Sequence, residues 1–294
     1  MRNSVLIVKI VILWVTKLIH NNIPIYAVLD KDAIKNETLP HLSVVKRSFI
    51  SQSSLLEILN IIFYKLKRGC LWEDLPVDSL FRDKVLTYGA VFHRYNDWNK
   101  KGEWKSLRLH LLDKHRTKFD MLSVDFDGIY GSHAWWGGCC YQVRKKHKTT
   151  NALYFKYRQG ILDIMFSPKS AEHYYTYDIE NVIMSIMHDL GITNIRVDGL
   201  FLNANAGFDS TALRSVYRSQ GVVANIFISK RSGTTSNKIV DDLLYAQGYS
   251  IERTNVWMDS YKAILNRFET TVRNWESWNH VAFIVILISK CLKK

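Results

Sequence analysis

Cysteine is scarce and unpatterned in this chain. Cys70, Cys139, Cys140 and Cys291 show no Cys-x-x-Cys spacing and no partnered histidine cluster, which argues against a structural zinc or a disulfide scaffold. Reduced thiols in a cytoplasmic setting are the expectation. Long apolar runs are missing as well. The stretch from Val5 to Ile19 is broken by Lys9 and Lys17, and Val281–Ile288 is only eight residues long, against the roughly 20 needed to cross a bilayer. Arg2 before that first stretch imitates a secretion signal, but no small-x-small cleavage site follows. No membrane association is expected. Internal repeats and low-complexity tracts are absent. Acidic side chains are short in supply: 27 Asp and Glu face 40 Lys and Arg, a net charge of +13. That excess is the electrostatic footprint of a protein that binds a phosphate backbone.

Apolar residues, by contrast, make up 47% of the 294, enough for a packed core in one large domain with an appendage, or in two. Ser54-Leu55-Leu56-Glu57 reads as a capping box. The helix after it carries Leu55, Leu56, Ile58, Leu59, Ile62, Phe63 and Leu66 and stops at Gly69. A second helix over about 85–99 groups Val91, Phe92, Tyr95 and Trp98, and Lys100, Lys101 and Lys105 follow. Two short helices with a basic end suggest a helix-turn-helix, and a plain helical packing domain fits the same pattern.

From Met121 the period shortens to that of strands. Met121–Asp127, Ala152–Tyr157 and Ile161–Phe166 read as strands, with Arg158-Gln159-Gly160 turning between the last two. A helix over 179–190, a strand from Leu200 ending at Asn205, a helix over 211–219 capped by Ser210 and a strand over 222–228 come next. Helices over 251–268 and 275–290 close the pattern. Polar residues at strand ends project into the crevice where α/β proteins do their chemistry. Asp127 and Asn205 stand at such ends, and Glu252 opens a helix. Asp125 is the rival of Asp127, because alternation sends both to one strand face. Asp127 is preferred as nearer the open strand end.

The three segments around Asp127, Asn205 and Glu252, with Trp72-Glu73-Asp74-Leu75-Pro76 and the basic Arg144-Lys145-Lys146-His147-Lys148, resemble bacterial insertion-sequence transposases. The group is the DDE class in its IS-four/IS-five superfamily. The resemblance covers about residues 40–290. It implies an α/β fold, a ribonuclease-H-like core (a mixed sheet with flanking helices) preceded by a small all-α domain that is helix-turn-helix-like. It divides the chain into an extension over 1–38 outside the resemblance, a helical DNA-binding domain over 39–118, and the ribonuclease-H-like domain over 119–294. A chain beginning near Leu39 is therefore expected to fold as well as the whole.

The family holds two divalent metals, Mg²⁺ or Mn²⁺, between two Asp and one Glu, and moves DNA strands by two-metal phosphoryl transfer. Residue by residue, the resemblance carries a catalytic role to Asp127, Asn205 and Glu252 and a metal-binding role to Asp127 and Glu252. The family's acid directly precedes a Gly, as Asp127 precedes Gly128. Its second acid lies in Asp-x-Gly-Phe/Tyr-Asp-Ser; here Ala206-Gly207-Phe208-Asp209-Ser210 matches, but the acid's own position holds Asn205. A neutral amide cannot bridge two cations with negative charge. Gly248 stands where the family has the Arg of Tyr-x-x-Arg, and Tyr175 where an Asp follows the His matched by His173. These departures imply impaired catalysis, and Asn205→Asp is expected to tighten Mg²⁺ binding. Implied DNA contacts are Arg144, Lys145, Lys146 and Lys148, then Lys230, Arg231 and Arg253. Trp135-Trp136 could stack on a base or pack over the hairpin. Implied partners are double-stranded DNA, both the element's terminal inverted repeats and target DNA, and a second copy in a homodimer on DNA, in the bacterial cytoplasm at the nucleoid. Two alternatives remain: a catalytically dead DNA-binding relative, and a structure-selective nuclease on the same fold.

Overall fold

The computed structural model describes residues 28–44, 55–81, 85–119, 123–133, 140–142, 146–157, 160–166, 179–227, 241, 243 and 250–291. After short helical turns over residues 31–41 come three longer helices, α1 (Leu55–Arg68), α2 (Tyr88–Lys100) and α3 (Glu103–His115). Helix α1 buries Ile58, Leu59, Ile62, Phe63 and Leu66, as its apolar spacing requires. It ends at Gly69, whose φ of +65° puts it in the left-handed region. A side chain there would also meet the backbone of Lys262 at 2.6 Å. Thr87 caps α2 by accepting from the Ala90 amide at 3.3 Å. The tight connection falls between α2 and α3, at Lys101 and Gly102, and not between the first two helices. Residues 69–87 and the short helix Val77–Leu80 intervene there.

Strands β1 (Ser123–His133), β2 (Cys140–Gln142), β3 (His147–Tyr157) and β4 (Gly160–Phe166) follow. Next come α4 (Ile179–Ile192), β5 (Phe201–Ala204), α5 (Thr211–Ser219) and β6 (Val223–Ile226). Helix α6 (Ser250–Asp259), a single turn at Lys262–Leu265, β7 (Asn266–Arg267) and α7 (Val272–Cys291) complete the order. In space the main strands run β4-β3-β1-β5-β6, with β2 beside β3 and β7 beside β1. The β4, β3 and β1 pairings are antiparallel, whereas β1, β5 and β6 are parallel. Three antiparallel strands continued by two parallel ones, with a helix before β5 and another before β6, is the ribonuclease-H-like arrangement. The chain is thus α/β, a mixed sheet with flanking helices and a helical N-terminal region.

Several elements differ from the sequence pattern: β3 starts at His147 rather than Ala152, and β2 and β7 are strands the pattern does not show. Strand β1 does not stop at Asp127 but runs to His133, because β3 pairs with it as far as Ser132↔Thr149. The helix expected over 251–268 ends at Asp259. Beyond it, Asn266 and Arg267 pair with Ser132 and His133, and the buried Arg267 donates from Nη1 to Thr150 Oγ1 at 2.5 Å. Those tertiary bonds draw the chain out of the helix.

Helix α7 is the centre of the packing. Trp275, Trp278 and the run Val281–Ile288 are all buried, so it is covered on every side. Tyr95 of α2 stacks on Trp278 at 4.4 Å and 18°, and its hydroxyl donates to the Asn274 carbonyl at 2.8 Å. On the sheet side, Tyr154 of β3 donates to Asn279 Oδ1 at 2.6 Å and meets Phe283 edge-on. One hydrophobic core therefore joins the N-terminal helices, α7 and the sheet. Among the described residues no helix is long and apolar enough to cross a membrane.

Residues 28–38 belong to that core, contrary to the expectation for a chain begun at Leu39. Ile34 is fully buried, and Leu29 and Ala33 nearly so. Asp30 caps the short helix Lys31–Ala33, and Glu37 accepts from Lys114 Nζ at 2.7 Å. Burying Leu29 and Ile34 contributes about 1.5–3 kcal/mol each, a large share of the roughly 5–15 kcal/mol that holds a domain folded. A chain starting at Leu39 should accordingly show a much lower urea midpoint than one starting at Val28; equal midpoints would show that this packing contributes nothing.

A second prediction comes from His280. It is buried beneath α3, its Nδ1 lacks a partner among the described residues, and burial, helped by Arg108 and Lys105, holds its pKa well below the ordinary value. Glu276 Oε1, 3.9 Å from Nε2, is the opposing charge. The unfolded chain takes up a proton near pH 6.5 that the folded chain refuses. Stability contributed by His280 is therefore complete above about pH 6.5 and declines as pH falls below it. The melting temperature should drop between pH 7.5 and 5.5, and His280→Gln should flatten that drop.

Candidate functional site

The sheet register decides what lies beside what. Asp125 pairs with Asn203 and Phe126 with Ala204, where β5 ends. Asn205 and Asp127 are each the next residue beyond this last pair, at the edge where the parallel pairing finishes. Asn205 is exposed and begins a 3-10 turn over Ala206–Phe208. Ser210 then caps α5 by accepting from the Leu213 amide at 3.1 Å. Asp209 does not turn toward the site; it is buried in an ion pair with Arg214 at 2.8 Å. Asp198 lies before β5, exposed and paired with Arg196 at 3.1 Å.

Alternation along β1 separates its two faces. Val124 and Phe126 are buried, and Phe126 meets Phe208 edge-on at 5.1 Å. Asp125 and Asp127 occupy the opposite face. Asp127 is part-exposed in mid-strand, and three N–H groups converge on its carboxylate. The Gly128 amide donates to Oδ1 at 2.8 Å. Lys156 Nζ and Asn255 Nδ2 donate to Oδ2 at 3.1 and 3.2 Å. Lys156 also donates to Asn255 Oδ1 at 2.6 Å, closing a triangle of carboxylate, ammonium and amide. Its side chain is only 1% exposed. Burial pulls the Lys156 pKa below its ordinary value, and the charges of Asp127, Asp125 and Asp259 resist that pull.

Asp125 is sealed into a different set of bonds. It accepts from Asn203 Nδ2 at 3.0 Å, and Asn203 Oδ1 accepts from Asn225 Nδ2 at 2.7 Å. Asn225 in turn exchanges bonds with the backbone of Asp241, at 3.1 and 2.8 Å. Register puts Lys156, Asp125, Asn203 and Asn225 in one row across β3, β1, β5 and β6. A row of buried polar groups survives in a sheet only when each is satisfied by its neighbour.

Helix α6 carries Asn255 onto this face. Glu252 lies three residues earlier and Asp259 four later, the spacings that share one side of a helix. The third predicted site residue is therefore on the helix that covers Asp127. The side chains of Glu252 and Arg253 lie outside the described residues, as do Arg144, Lys145, Tyr175, Lys230, Arg231, Gly248, Trp135 and Trp136. Lys146 is exposed at a positive φ of 56° in the β2–β3 connection, and Lys148 sits on β3 opposite Tyr141. This connection is at the sheet end toward which β1 runs, about 17 Å along the strand past Asp127.

Divalent metals, implied by the resemblance, do not fit the described side chains. A metal needs lone pairs aimed at it, but the groups around Asp127 present N–H bonds, and a lysine brings its own positive charge. No group of three or more His, Cys, Asp or Glu is placed to hold a metal ion among the described residues. Lys156, Asn203, Asn225 and Asn255 were absent from the sequence reading. They are neighbours only through strand register and helix docking, and the visible signal is limited to a charged Lys inside the otherwise apolar stretch Ala152–Tyr157.

No protein-family model matches the chain, and no curated protein matches it either. Among solved structures it is similar to the Mos1 transposase paired-end complex with left transposon end, at 11% identity and a TM-score of 0.29, covering 85% of this chain and 82% of that one. It is similar to the pre-cleavage Mos1 transpososome at 10% identity and a TM-score of 0.27, with the same coverage. The catalytic domain of Mos1 mariner transposase gives 12% identity and a TM-score of 0.28 over 64% of this chain and 90% of that one. Likenesses this distant do not bear on function.

Proposed function

We propose that the chain is a DNA-binding protein of the DDE transposase type, with strand cleavage and joining impaired. It engages duplex DNA at the terminal inverted repeats of an insertion sequence. The observation that carries this reading is the state of Asp127. It occupies the central strand just past the end of the parallel pairing, after which β5 continues into Asn205 rather than an acid, and its Oδ2 is held by Lys156 and Asn255. The surplus of 13 positive charges supplies the attraction for phosphate. Lys146 and Lys148, in and just after the β2–β3 connection, stand at the sheet end toward which β1 runs, and this supports the basic cluster as the contact.

Binding to a duplex carrying terminal repeats, measured by fluorescence anisotropy in EDTA, should weaken steeply between 50 and 200 mM salt, roughly as log affinity falls by 0.9 per phosphate contact per log unit of salt. Replacing Arg144, Lys145, Lys146 and Lys148 with Ala should reduce the slope by up to about 3.6. An unchanged slope would remove that cluster from the interface.

Cutting is the second test. With Mg²⁺ or Mn²⁺ present, the unmodified protein should leave a plasmid bearing the repeats intact. Each 1.36 kcal/mol of lost transition-state stabilisation is about tenfold in rate, so a few kcal/mol take turnover below detection. Cutting that Asp127→Ala abolishes would show that catalysis is intact and overturn this part of the reading.

A further inference from the structure

We propose that Lys156 is the resident cation of the carboxylate site: its ammonium group takes the place a divalent ion would need, and the protein binds DNA without metal. The first half stands on the structure alone, and the second rests on the DNA-binding reading above.

Position is the first ground. Lys156 is the direct register partner of Asp125, and its head group reaches past it to Asp127 Oδ2 at 3.1 Å. It is set into the middle of β3 and covered by α6, so it is built into the site rather than lying across it.

Donor chemistry is the second. An ammonium has three N–H bonds and no lone pair, so it satisfies the lone pairs of Asp127 and Asn255 that a metal would otherwise take. The Asn255 amide is arranged to match, with its oxygen toward Lys156 and its nitrogen toward Asp127. A metal entering here would have to displace Lys156 and meet an amide N–H where it needs an oxygen.

Charge is the third. Asp125, Asp127 and Asp259 all act on Lys156. Asn203 and Asn225 continue the row as amides, and Asn205 adds no charge. The ammonium offsets one of the three negative charges that Asp125, Asp127 and Asp259 bring, which weakens the pull on a divalent ion. A phosphate also meets less repulsion than it would from the bare acids. Asn205→Asp alone therefore adds a carboxylate to a site whose cation position is already filled, and the tighter Mg²⁺ binding expected from the sequence should not follow.

Titration calorimetry with Mn²⁺ on the full chain, without DNA, tests the first half. Unmodified protein and Asn205→Asp should bind no Mn²⁺ more tightly than about millimolar, whereas Lys156→Ala should gain a site about tenfold or more tighter, and Lys156→Ala/Asn205→Asp a tighter one still. DNA affinity tests the second half. It should be equal in EDTA and in Mn²⁺ for the unmodified protein, should fall in EDTA for Lys156→Ala, and should be restored by Mn²⁺. Micromolar Mn²⁺ binding by the unmodified protein that Asp127→Asn abolishes would overturn the proposal without any lysine variant. A folded Lys156→Ala, or Lys156→Met if the alanine variant does not fold, that gains no Mn²⁺ affinity would overturn it too. If the Mn²⁺ pattern holds and no DNA binds, the DNA-binding reading fails by itself.

Discussion

A helix that is apolar on all sides has to be enclosed, and this requirement organises the molecule. Helix α7 buries Trp275, Trp278 and every residue from Val281 to Ile288. No single neighbour can cover such a surface, so α1–α3 close one part of it and the sheet another. Of the buried polar groups on α7, Asn274 is met by Asn99 Nδ2 at 2.6 Å and Asn279 by the Tyr154 hydroxyl. Trp278 finds Glu269 at 2.8 Å, and Glu269 also pairs with the buried Lys65. Because Tyr154 lies two residues from Lys156 on β3, the strand that seals α7 is also the strand that places a cation among the acids.

The candidate site shows how a cluster of acids can carry its own cation. The architecture that could gather acids is intact: a central strand with two Asp on one face, a parallel neighbour ending beside the second, and a helix laid over both. What differs is the chemistry of the groups around them. Removing an ion from water costs several kcal/mol, so a buried lysine persists only if opposite charges and acceptors surround it. The same acids that would have held a metal fill that role for Lys156, and each becomes necessary to the other. The charge balance of the site and maintenance of the fold are then coupled through one ion pair.

Much of this was legible in the sequence where the cause is local. Helix α5 was bounded correctly at Thr211 and Ser219, because the Ser210 cap and apolar spacing both act within a few residues. The order of strands and helices in the sheet followed from the change of period. Strand β1 runs past Asp127 through Gly128 and Gly131 because the pairing that carries it comes from residues 149–153, beyond any local pattern. Helix α6 was drawn too long because an apolar period continues past Asp259, while the bonds that end it come from β1 and Thr150. The row from Lys156 to Asn225 was illegible for the same reason. Parallel register is set by packing across the sheet, and no spacing along the chain encodes it.

The bond from the Tyr95 hydroxyl to the Asn274 carbonyl spans 179 residues of chain. A ribosome adds about 5–20 residues per second, so Tyr95 waits on the order of ten to thirty-five seconds for its partner to be made. During that interval α1–α3 have already emerged, with the surfaces meant for Trp278 and its neighbours uncovered. Contacts this distant also slow folding afterwards, because loop closure precedes any gain from packing. The apolar faces of the first helices are therefore open to chaperones, or to one another on neighbouring chains, until α7 arrives to occupy them.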